Sequence, residues 1–391
     1  MPDEKIAKYP VTPRDSSKLL IYQNGEITGS QYNQLDKFLP KDALLLFNQT
    51  KVVQARLKFP KNEQTSIEIF CLEPHNKRDI QQAMQSSSPI EYKCLVGGAR
   101  KWKGGFLELA TSGGDILSAE KISRENDSFI IRFSWTGNQH FAAILENAGK
   151  TPLPPYLNRD AEEKDKATYQ TLFAKTDGSV AAPTAGLHFT EELLERLTEK
   201  GVQQEFITLH VGAGTFKPVS TETMSDHEMH AEEFFIERTL LDALVDNLGK
   251  PFIPVGTTSL RALESLYWLG TKLLKQNVPM DSYHVTQWEP YQEGHLPTVK
   301  DALQAIAIEM SNKGVEILTA KTQLIIAPGY KHRICQGLLT NFHQPKSTLL
   351  LLVASFIGEN WKKVYKHALK NNYRFLSYGD GCLILHDSKN K

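Results

Sequence analysis

The sequence has few cysteines and no long hydrophobic segment, and both absences limit what the protein can be. Its four cysteines are far apart and form no CxxC pair, which argues against a zinc site or a disulfide scaffold and fits a reducing compartment. The most apolar stretch, Leu349 to Ile357, is far too short to span a bilayer. Met1 to Arg14 is polar and has no apolar core of a signal peptide. We therefore expect a cytoplasmic protein without a membrane segment.

An excess of one charge is also lacking. Lys and Arg together number 45, as do Asp and Glu, so the formal net charge is zero. Composition therefore gives no hint of a nucleic-acid partner, and any phosphate-binding surface must come from local clusters of basic residues. The apolar share of 40% and the charged share of 23% are those of an ordinary globular protein, and the length allows two domains.

The pattern of the chain changes twice, which predicts one domain inserted in another. Between residues 61 and 149, short β-rich runs alternate with glycine and Asn-Asp turn signals, and Gln81 to Ser88 has the composition of a loop. This region predicts a small antiparallel β-barrel. Residues 1–60 and 150–391 alternate strand and helix patterns, and predict a discontinuous α/β catalytic domain with a largely parallel sheet.

Local patterns locate several elements of the α/β part. Thr190 to Lys200 is an amphipathic helix that Thr190 can cap and Gly201 can end. Further helices are predicted at 141–148, 240–248, 259–269, 347–357 and 361–371, and strands at 43–47, 206–211, 252–255 and 324–327. Because open α/β sheets bind ligands where their strands end, the polar loops after these strands are the candidate site.

The first such loop is Ala181 to Phe189, which precedes the helix capped by Thr190. Its backbone amides and His188 can face a ligand at a helix N-terminus. The alternative is a tight loop whose small residues only allow close packing, and this stretch alone does not decide between the two.

The second loop, Leu209 to Phe216, contains two glycines and two polar side chains. Gly212 and Gly214 permit a close approach of the backbone to a ligand, and His210 and Thr215 supply polar groups. A lone GxG is weak evidence, and no GxxG completion follows, so a dinucleotide-binding fingerprint is not supported.

The segment Asp226 to Glu232 approaches a metal-binding pattern but lacks its spacing. An HExxH zinc helix needs a second histidine at position 231, which is Ala231. His227, His230 and Glu232 can still ligate, but acid–base, substrate-binding or structural roles are favoured over a metal. We therefore predict no metal, and His230 is a candidate for proton transfer.

A turn that begins with Gly256, Thr257 and Thr258 joins a predicted strand to a predicted helix. Its amides and hydroxyls suit an anion or a nucleotide, but the P-loop lysine is missing, so phosphoryl transfer is not expected. Arg261 in the first helical turn is unfavourable for the helix dipole. We therefore expect it to face a carboxylate, either from a ligand or in a structural salt bridge.

Two polar stretches near the end of the chain complete the candidate site. Asn341 and His343 can hydrogen-bond a base or a ribose, although capping and turn formation are the default roles for such residues. Arg374 to Gly381, which includes Asp380, is a polar loop.

Basic residues form two local clusters that are the candidate RNA surface. The first cluster lies on one face of the last predicted helix and consists of Lys362, Lys366 and Lys370, with Arg374 nearby. The second cluster lies in the β region, where Arg100, Lys101 and Lys103 surround Trp102. A polyanion would relieve the repulsion between like charges, but a solvated face remains the commoner explanation of any one such run.

Together and in this order, these segments resemble the S-adenosylmethionine:tRNA ribosyltransferase-isomerases of queuosine biosynthesis. The most specific matches are PTAGLHF at 183–189, TLHVGAGTF at 208–216 and VGTTS at 255–259. Other matches cover nearly the whole chain: IAKYP at 6–10, RDSSKLL at 14–20, FNQTKVVQARL at 47–57, PLPPY at 152–156, YQT at 169–171, DHEMHAE at 226–232, TNFH at 340–343, STL at 347–349 and YRFLSYGD at 373–380.

The resemblance implies a discontinuous α/β domain with an inserted β-barrel, which agrees with the patterns above. It also implies that S-adenosylmethionine is the ribosyl-donor co-substrate. Its ribosyl part is transferred to 7-aminomethyl-7-deazaguanine in a tRNA with a GUN anticodon and isomerised to epoxyqueuosine, while adenine and methionine are released. We expect a monomer that needs no metal and no membrane.

This chemistry requires proton transfers, since the sulfonium makes the adjacent C5′ hydrogens acidic and adenine must leave. Because the charge of histidine changes near neutral pH, we predict that His188, His210 and His230 are catalytic. The predicted S-adenosylmethionine-binding residues are Gly212, Gly214, Thr215, Gly256, Thr257, Thr258, Arg261, Asn341, His343 and Asp380. Arg261 is expected to pair with the methionine carboxylate, and Asp380 or Glu232 with its ammonium.

The chain departs from the family pattern at Lys51, Gln344 and Gly381-Cys382, and residues 268–321 form a longer region in which 283–297 is predicted as an extra loop. Two other classes of protein fit the sequence less well. A non-catalytic RNA-binding protein does not explain why histidines and Gly/Thr turns cluster at strand ends. An S-adenosylmethionine-dependent methyltransferase needs an early GxGxG loop that is missing.

Overall fold

The protein is described here by a computed structural model that covers residues 1–62, 64–75, 79–212, 227–275, 283–291 and 294–386. Over these ranges it is a mixed α/β protein, as the sequence predicts. None of the described helices is long and apolar enough to cross a membrane.

The described strands are numbered in chain order: β1 Lys18–Gln23, β2 Glu26–Gln31, β3 Leu44–Asn48, β4 Thr50–Val52, β5 Arg56–Pro60, β6 Ser66–Pro74, β7 Ile90–Gly97, β8 Phe106–Ala110, β9 Ile116–Glu125, β10 Ser128–Trp135, β11 Gly149–Lys150, β12 Thr176–Ser179, β13 Gln203–Leu209, β14 Glu232–Glu237, β15 Phe252–Pro254, β16 His284–Val285, β17 Ile317–Thr322, β18 Gly337–Asn341 and β19 Gly381–Leu385. The described α-helices are α1 Ile80–Met84, α2 Phe141–Ala148, α3 Asp165–Thr168, α4 Glu191–Glu199, α5 Arg238–Asp246, α6 Thr257–Lys275, α7 Val299–Lys313, α8 Thr348–Ile357 and α9 Asn360–Lys370.

The six-stranded sheet of the α/β part has the order β15-β3-β13-β14-β17-β16. Strand β3 is completely buried and lies between β15 and β13, which both run parallel to it. Strands β14 and β17 pair antiparallel, and β16 runs parallel to β17. The sheet is therefore mixed: three of its five strand pairings are parallel, as predicted, and two are antiparallel, which was not predicted. A short buried apolar run has the same pattern in either direction, so it could not set the direction of its neighbour.

A four-stranded sheet, in the order β18-β19-β1-β2, joins strands from the beginning and the end of the sequence. Strand β1 runs parallel to β19 and antiparallel to β2, and β18 is antiparallel to β19. A parallel bridge joins Val255, the residue after β15, to Leu339 in the middle of β18. Residues just after β15 are therefore brought next to residues at the end of β18.

The seven-stranded sheet, in the order β11-β5-β6-β7-β10-β9-β8, is antiparallel throughout. It curves so that β5 and β8, from opposite ends of this order, lie against each other. It also has its own buried core, which includes Phe59, Ile69 and Phe133. The antiparallel β region expected from the turn signals is therefore present as a curved sheet.

The loop predicted at Gln81 to Ser88 begins with helix α1 instead. The side chain of Asp79 accepts a hydrogen bond from the backbone N–H of Gln82 and caps this helix, while Ala83 and Met84 are buried. The prediction of a loop relied on the glutamine and serine content of this stretch. It did not take into account the cap at Asp79 or the two apolar residues that pack against the sheet.

The other helices largely follow their local signals. Helix α4 begins after Thr190, whose hydroxyl accepts a hydrogen bond from the Leu193 N–H, and buries Leu193 and Leu197 as predicted. Helix α6 extends from residue 257 to 275, well beyond the expected 259–269, and α7 lies in the longer region 268–321, where no helix was predicted.

The strand predicted at 324–327 is absent from the described structure. Its backbone groups bond to side chains and to an irregular segment rather than to a neighbouring strand. The carbonyl of Leu324 accepts from Arg261, and the Tyr291 hydroxyl contacts both the Ile325 carbonyl and the Ala327 N–H. With its backbone groups occupied in this way, the apolar run cannot join a ladder.

Candidate functional site

An open cleft lies where three strands end. Strands β13 and β15 are both parallel to β3, so their carboxyl ends lie at the same edge of the sheet, and the Val255–Leu339 bridge brings the end of β18 to that edge. The residues that follow β13 and β15, and the end of β18 itself, line the cleft. This is the location at which α/β sheets bind ligands.

Five of the ten predicted S-adenosylmethionine-binding residues line this cleft: Gly256, Thr257, Thr258, Asn341 and His343. Gly256 adopts a φ of +94°, which disfavours any residue with a side chain. Its N–H donates to the Leu339 carbonyl at 2.7 Å, and a Cβ at this position would lie 3.6 Å from the Cβ of Ala185. Gly256 therefore brings three of the candidate loops together.

His188 is buried directly behind the cleft. Its Nδ1 lies 2.8 Å from the Ser17 hydroxyl, its Nε2 lies 3.1 Å from Oδ1 of Asn341, and its ring stacks on Tyr32. The amide nitrogen of Asn341 donates to the carbonyls of Leu376 and Ser377, so Oδ1 must accept and Nε2 must carry the proton. Burial lowers the pKa of His188 to about 4. At neutral pH it is an uncharged ring that orients Asn341.

His210 is buried beside the cleft, next to Val211 in its lining. Its Nδ1 lies 2.8 Å from the Thr50 hydroxyl, while Nε2 has no hydrogen-bond partner among the described residues. Burial lowers the pKa of His210 to about 4. An uncharged histidine with an unused ring nitrogen is chemically suited to accept or donate a proton.

His343 lines the cleft itself, with Nε2 3.0 Å from the Thr340 hydroxyl. Its backbone N–H donates to the Tyr365 hydroxyl. Burial lowers the pKa of this ring to about 4, so it too is uncharged at neutral pH. The three histidines predicted to be catalytic are absent from the described cleft lining, whereas His343 belongs to it.

The remaining predicted site residues of the segments 209–216 and 226–232 do not line the described cleft. Gly212 follows Val211 and has open space where a side chain would be. Gly214 and Thr215 lie outside the described residues. His230 is exposed in the segment before β14 and is not part of the described cleft lining. The segment is held at Met229, whose N–H donates to the Gln287 side chain and whose carbonyl accepts from the Gln323 side-chain amide.

Arg261 does face a carboxylate, and that carboxylate belongs to Glu232. Both residues are buried, and Nη1 of Arg261 is hydrogen-bonded to Oε2 of Glu232. Nε of Arg261 donates to the Leu324 carbonyl at 3.0 Å, while Nη2 has no partner among the described residues. A structural salt bridge is therefore present, and a ligand carboxylate at Nη2 remains a prediction.

Asp380 is buried within its own loop. Its carboxylate accepts hydrogen bonds from the backbone N–H groups of Lys18 and Arg374, and it forms a 3.0 Å ion pair with the Arg374 guanidinium. These contacts fix the loop before β19 against the start of β1. Its pairing with the methionine ammonium stays a prediction.

The cleft lining also contains polar residues that were not among the predicted site residues: Tyr156, Tyr169, Thr184, Thr340, Gln344, Ser347 and Ser377. The two tyrosines lie in the matching segments PLPPY and YQT, so a usable signal was present. The sequence could not show that these two segments lie at the same cleft as the motifs at 183–189, 208–216 and 255–259, which follow them in the chain.

A group of possible metal ligands lies apart from the described cleft lining. One donor atom each from Glu264, His332 and Cys335 lies within 4.8 Å of the others. However, the Glu264 carboxylate already accepts hydrogen bonds from the Tyr330 hydroxyl and from the backbone N–H groups of residues 333–335. A buried carboxylate that is occupied in this way anchors the turn to α6, which is a structural role.

The burial of His188 and His210 leads to a prediction of how the free energy of unfolding depends on pH. The folded-state pKa of His188 and of His210 lies near 4, below the ordinary 6.5, so between these values the unfolded chain binds protons that the folded protein does not. Stability is therefore expected to fall as pH drops from 6.5 towards 4, by up to about 3 kcal/mol for each histidine. Urea-unfolding midpoints measured from pH 7.5 to 4.5 would test this.

A matched comparison isolates the contribution of these rings. His210→Asn should reduce the slope of stability against pH, whereas replacing exposed His140 by alanine should leave it unchanged. A His210→Asn protein whose stability keeps the full slope would contradict the assignment.

Comparisons with known proteins give a consistent picture. A family model described as queuosine biosynthesis protein matches residues 1–384. Proteins named S-adenosylmethionine:tRNA ribosyltransferase-isomerase are similar over almost their whole length: that of Halothermothrix orenii is 36% identical, covering 98% of this chain and 97% of the relative, and that of Pelodictyon phaeoclathratiforme is 37% identical, covering 98% and 96%. The crystal structure of an S-adenosylmethionine tRNA ribosyltransferase from Thermotoga maritima is 26% identical, covers 98% of both chains and gives a TM-score of 0.46.

Proposed function

We infer, from the premise that this chain belongs to the queuosine biosynthesis protein family, that it is an S-adenosylmethionine:tRNA ribosyltransferase-isomerase. It transfers the ribosyl moiety of S-adenosylmethionine to 7-aminomethyl-7-deazaguanine in a tRNA with a GUN anticodon and isomerises it. The products are epoxyqueuosine-tRNA, adenine and methionine.

One observation supports this proposal above the others: segments from all three of the most specific motifs line a single cleft. Pro183, Thr184 and Ala185 come from PTAGLHF, Val211 from TLHVGAGTF, and Gly256 to Thr258 from VGTTS. These segments are far apart in the chain, and a shared packing role does not require them to surround empty space. A common ligand explains why the three sequences occur together.

The proton transfers are assigned to histidines. Removal of a C5′ proton beside the sulfonium needs a base, and departure of adenine is assisted by a hydrogen-bond donor or an acid. We propose His188, His210 and His230 for these steps. The neutral state of the buried rings of His188 and His210 supports the assignment, because an uncharged imidazole can accept a proton.

The S-adenosylmethionine-binding residues are those predicted from the motifs, and contact with the cleft supports five of them. Arg261 through Nη2 is proposed for the methionine carboxylate and Asp380 for the ammonium. Gly212 is proposed for close backbone contact, together with Gly214 and Thr215, which lie outside the described residues.

We also propose a domain organisation and a tRNA-binding surface. We propose a catalytic α/β domain of residues 1–60 and 150–391 and an inserted β-barrel domain of residues 61–149, as the sequence predicts, with one adjustment. Strand β5 pairs with β6 in the seven-stranded sheet, so residues 56–60 are assigned to the inserted domain. Exposed lysines of helix α9 and the exposed residues Arg100, Lys101 and Lys103 suit contact with the phosphates of the tRNA.

A single assay separates the proposed activity from its rivals. The protein is mixed with S-adenosylmethionine and precursor tRNA, and the small molecules are separated by chromatography. A ribosyltransferase-isomerase releases adenine and methionine in equal amounts, whereas a methyltransferase gives S-adenosylhomocysteine and a binding protein gives neither. Either of the last two results would reject the proposal.

A further inference from the structure

Tyr169 places a buried hydroxyl group at the cleft without a hydrogen-bond partner. The residue is 1% exposed, lines the cleft, and its phenol oxygen meets hydrogen-bond geometry with no group among the described residues. A buried polar group that is not satisfied costs free energy in the folded protein. Such a cost is tolerated most readily where a ligand supplies the missing partner.

One neighbour of this hydroxyl, Ser377, is already engaged by another residue. The Ser377 hydroxyl and the Ala182 backbone lie near it, but Ser377 forms a 2.6 Å hydrogen bond with the hydroxyl of Tyr156. Burial raises the pKa of Tyr169 well above its usual value and that of Tyr156 to about 12. Both phenols therefore stay protonated at neutral pH, and the Tyr169 hydroxyl is available as a donor.

The rest of the cleft favours an uncharged heteroaromatic group at this position. Its described lining contains hydroxyls, amides, one imidazole and small apolar residues, and no Asp, Glu, Lys or Arg. A phosphate group would find no opposite charge in this lining, and Arg261, which is proposed for the methionine carboxylate, lies outside it. The ring of half-buried Tyr156, beside Tyr169 in this lining, offers an aromatic surface on which a flat base can stack.

We propose that Tyr156 and Tyr169 form the subsite for the adenine of S-adenosylmethionine, with the Tyr169 hydroxyl donating to a ring nitrogen of the purine. The proposal rests on the proposed function and extends it to two residues that have no assigned role. The depth of Tyr169 favours adenine over the tRNA base, because a base attached to a polynucleotide enters from the mouth of the cleft. A hydrogen bond to a ring nitrogen also strengthens as adenine departs with the bonding electrons.

The test uses Tyr169→Phe, which removes only the hydroxyl, with Tyr92→Phe as its matched control. The Tyr92 hydroxyl is also buried without a partner, but it lies in the core of the seven-stranded sheet. Isothermal titration with S-adenosylmethionine should give a dissociation constant about tenfold higher for Tyr169→Phe and unchanged for Tyr92→Phe. The unfolding midpoint of both variants should equal or exceed that of the unsubstituted protein.

A second pair of variants tests stacking, and a second ligand tests which base is bound. Tyr156→Leu should weaken S-adenosylmethionine binding about tenfold, while Tyr156→Phe, which keeps the ring, should retain most of the affinity. Binding of precursor tRNA should be unaffected in all four variants. Unchanged S-adenosylmethionine affinity in Tyr169→Phe, or a loss of tRNA affinity instead, would overturn the adenine assignment. Failure of the unsubstituted protein to bind S-adenosylmethionine would instead reject the proposed function.

Discussion

Replacing His188 with alanine is expected to lower turnover about a hundredfold and to destabilise the fold by about 2–4 kcal/mol. The stability loss follows because the change leaves a cavity against Tyr32 and removes the partner of the buried Ser17 hydroxyl. The activity loss follows because Asn341, which lines the cleft, loses the donor that fixes its side-chain oxygen. Initial rates of adenine release at saturating substrates and urea-unfolding midpoints measure the two effects.

A conservative variant distinguishes orientation of Asn341 from proton transfer by the ring. In His188→Gln, the amide nitrogen can occupy the position of Nε2 and donate to Asn341, so turnover should recover at least about tenfold over alanine if His188 acts through Asn341. If the ring itself carries the proton, glutamine should be as inactive as alanine. His140→Ala, at an exposed helix N-cap, is the control and should retain full activity. Full activity in His188→Ala would reject both roles.

Arg261→Ala is expected to lower the free energy of unfolding by about 3–5 kcal/mol, because it leaves the buried Glu232 carboxylate without its ion-pair partner. Glu232→Ala should have a similar effect, since it leaves a buried guanidinium. Replacing both residues by methionine should restore most of the stability, because neither charge is then buried unpaired. Urea unfolding of the three variants measures this. A surface arginine serves as the control: Arg132→Ala, which removes the 2.9 Å contact with Glu91 and the 3.2 Å contact with Glu120, should cost less than about 1 kcal/mol.

The stable double variant also tests the proposed ligand contact. If Nη2 of Arg261 binds the methionine carboxylate, the double methionine variant should fold but bind S-adenosylmethionine at least about tenfold more weakly. Retained affinity in a folded double variant would make the Arg261–Glu232 pair purely structural. Because stability and affinity are measured on the same protein, a folding defect cannot be mistaken for loss of the ligand contact.

The parts of the fold that the sequence predicted are those encoded within a few residues. Helix α4 was predicted because Thr190, the leucine spacing and Gly201 are a cap, a stripe and a stop within one short segment. The cleft was predicted to the extent that it consists of loops at strand ends, since the turn at Gly256 carries its own signal. Local rules therefore located the loops that build the candidate site.

The parts that could not be predicted depend on contacts between distant residues. Ser17 and Asn341 are 171 and 153 residues from His188, and no periodicity records that they meet. The same holds for the antiparallel pairing of β14 with β17, and for Tyr169, whose aromatic ring suits a core as well as a cleft. The motifs identified candidate residues, but only tertiary structure separates those that contact the cleft from those, such as Asp380, that are bound within their own loop.

The parallel pairing of β1 with β19 determines when the protein can become active during its synthesis. Strand β19 lies between β1 and β18, and the loop just before it bonds through Asp380 to the backbone at the start of β1. On the ribosome, β1 must wait with an unpaired edge until β19 has been made, and contacts of such long sequence separation form slowly. An incomplete chain thus lacks the frame that holds Ser17, His188 and Asn341 together. The consequence is an enzyme that cannot assemble its candidate site before translation has passed β19.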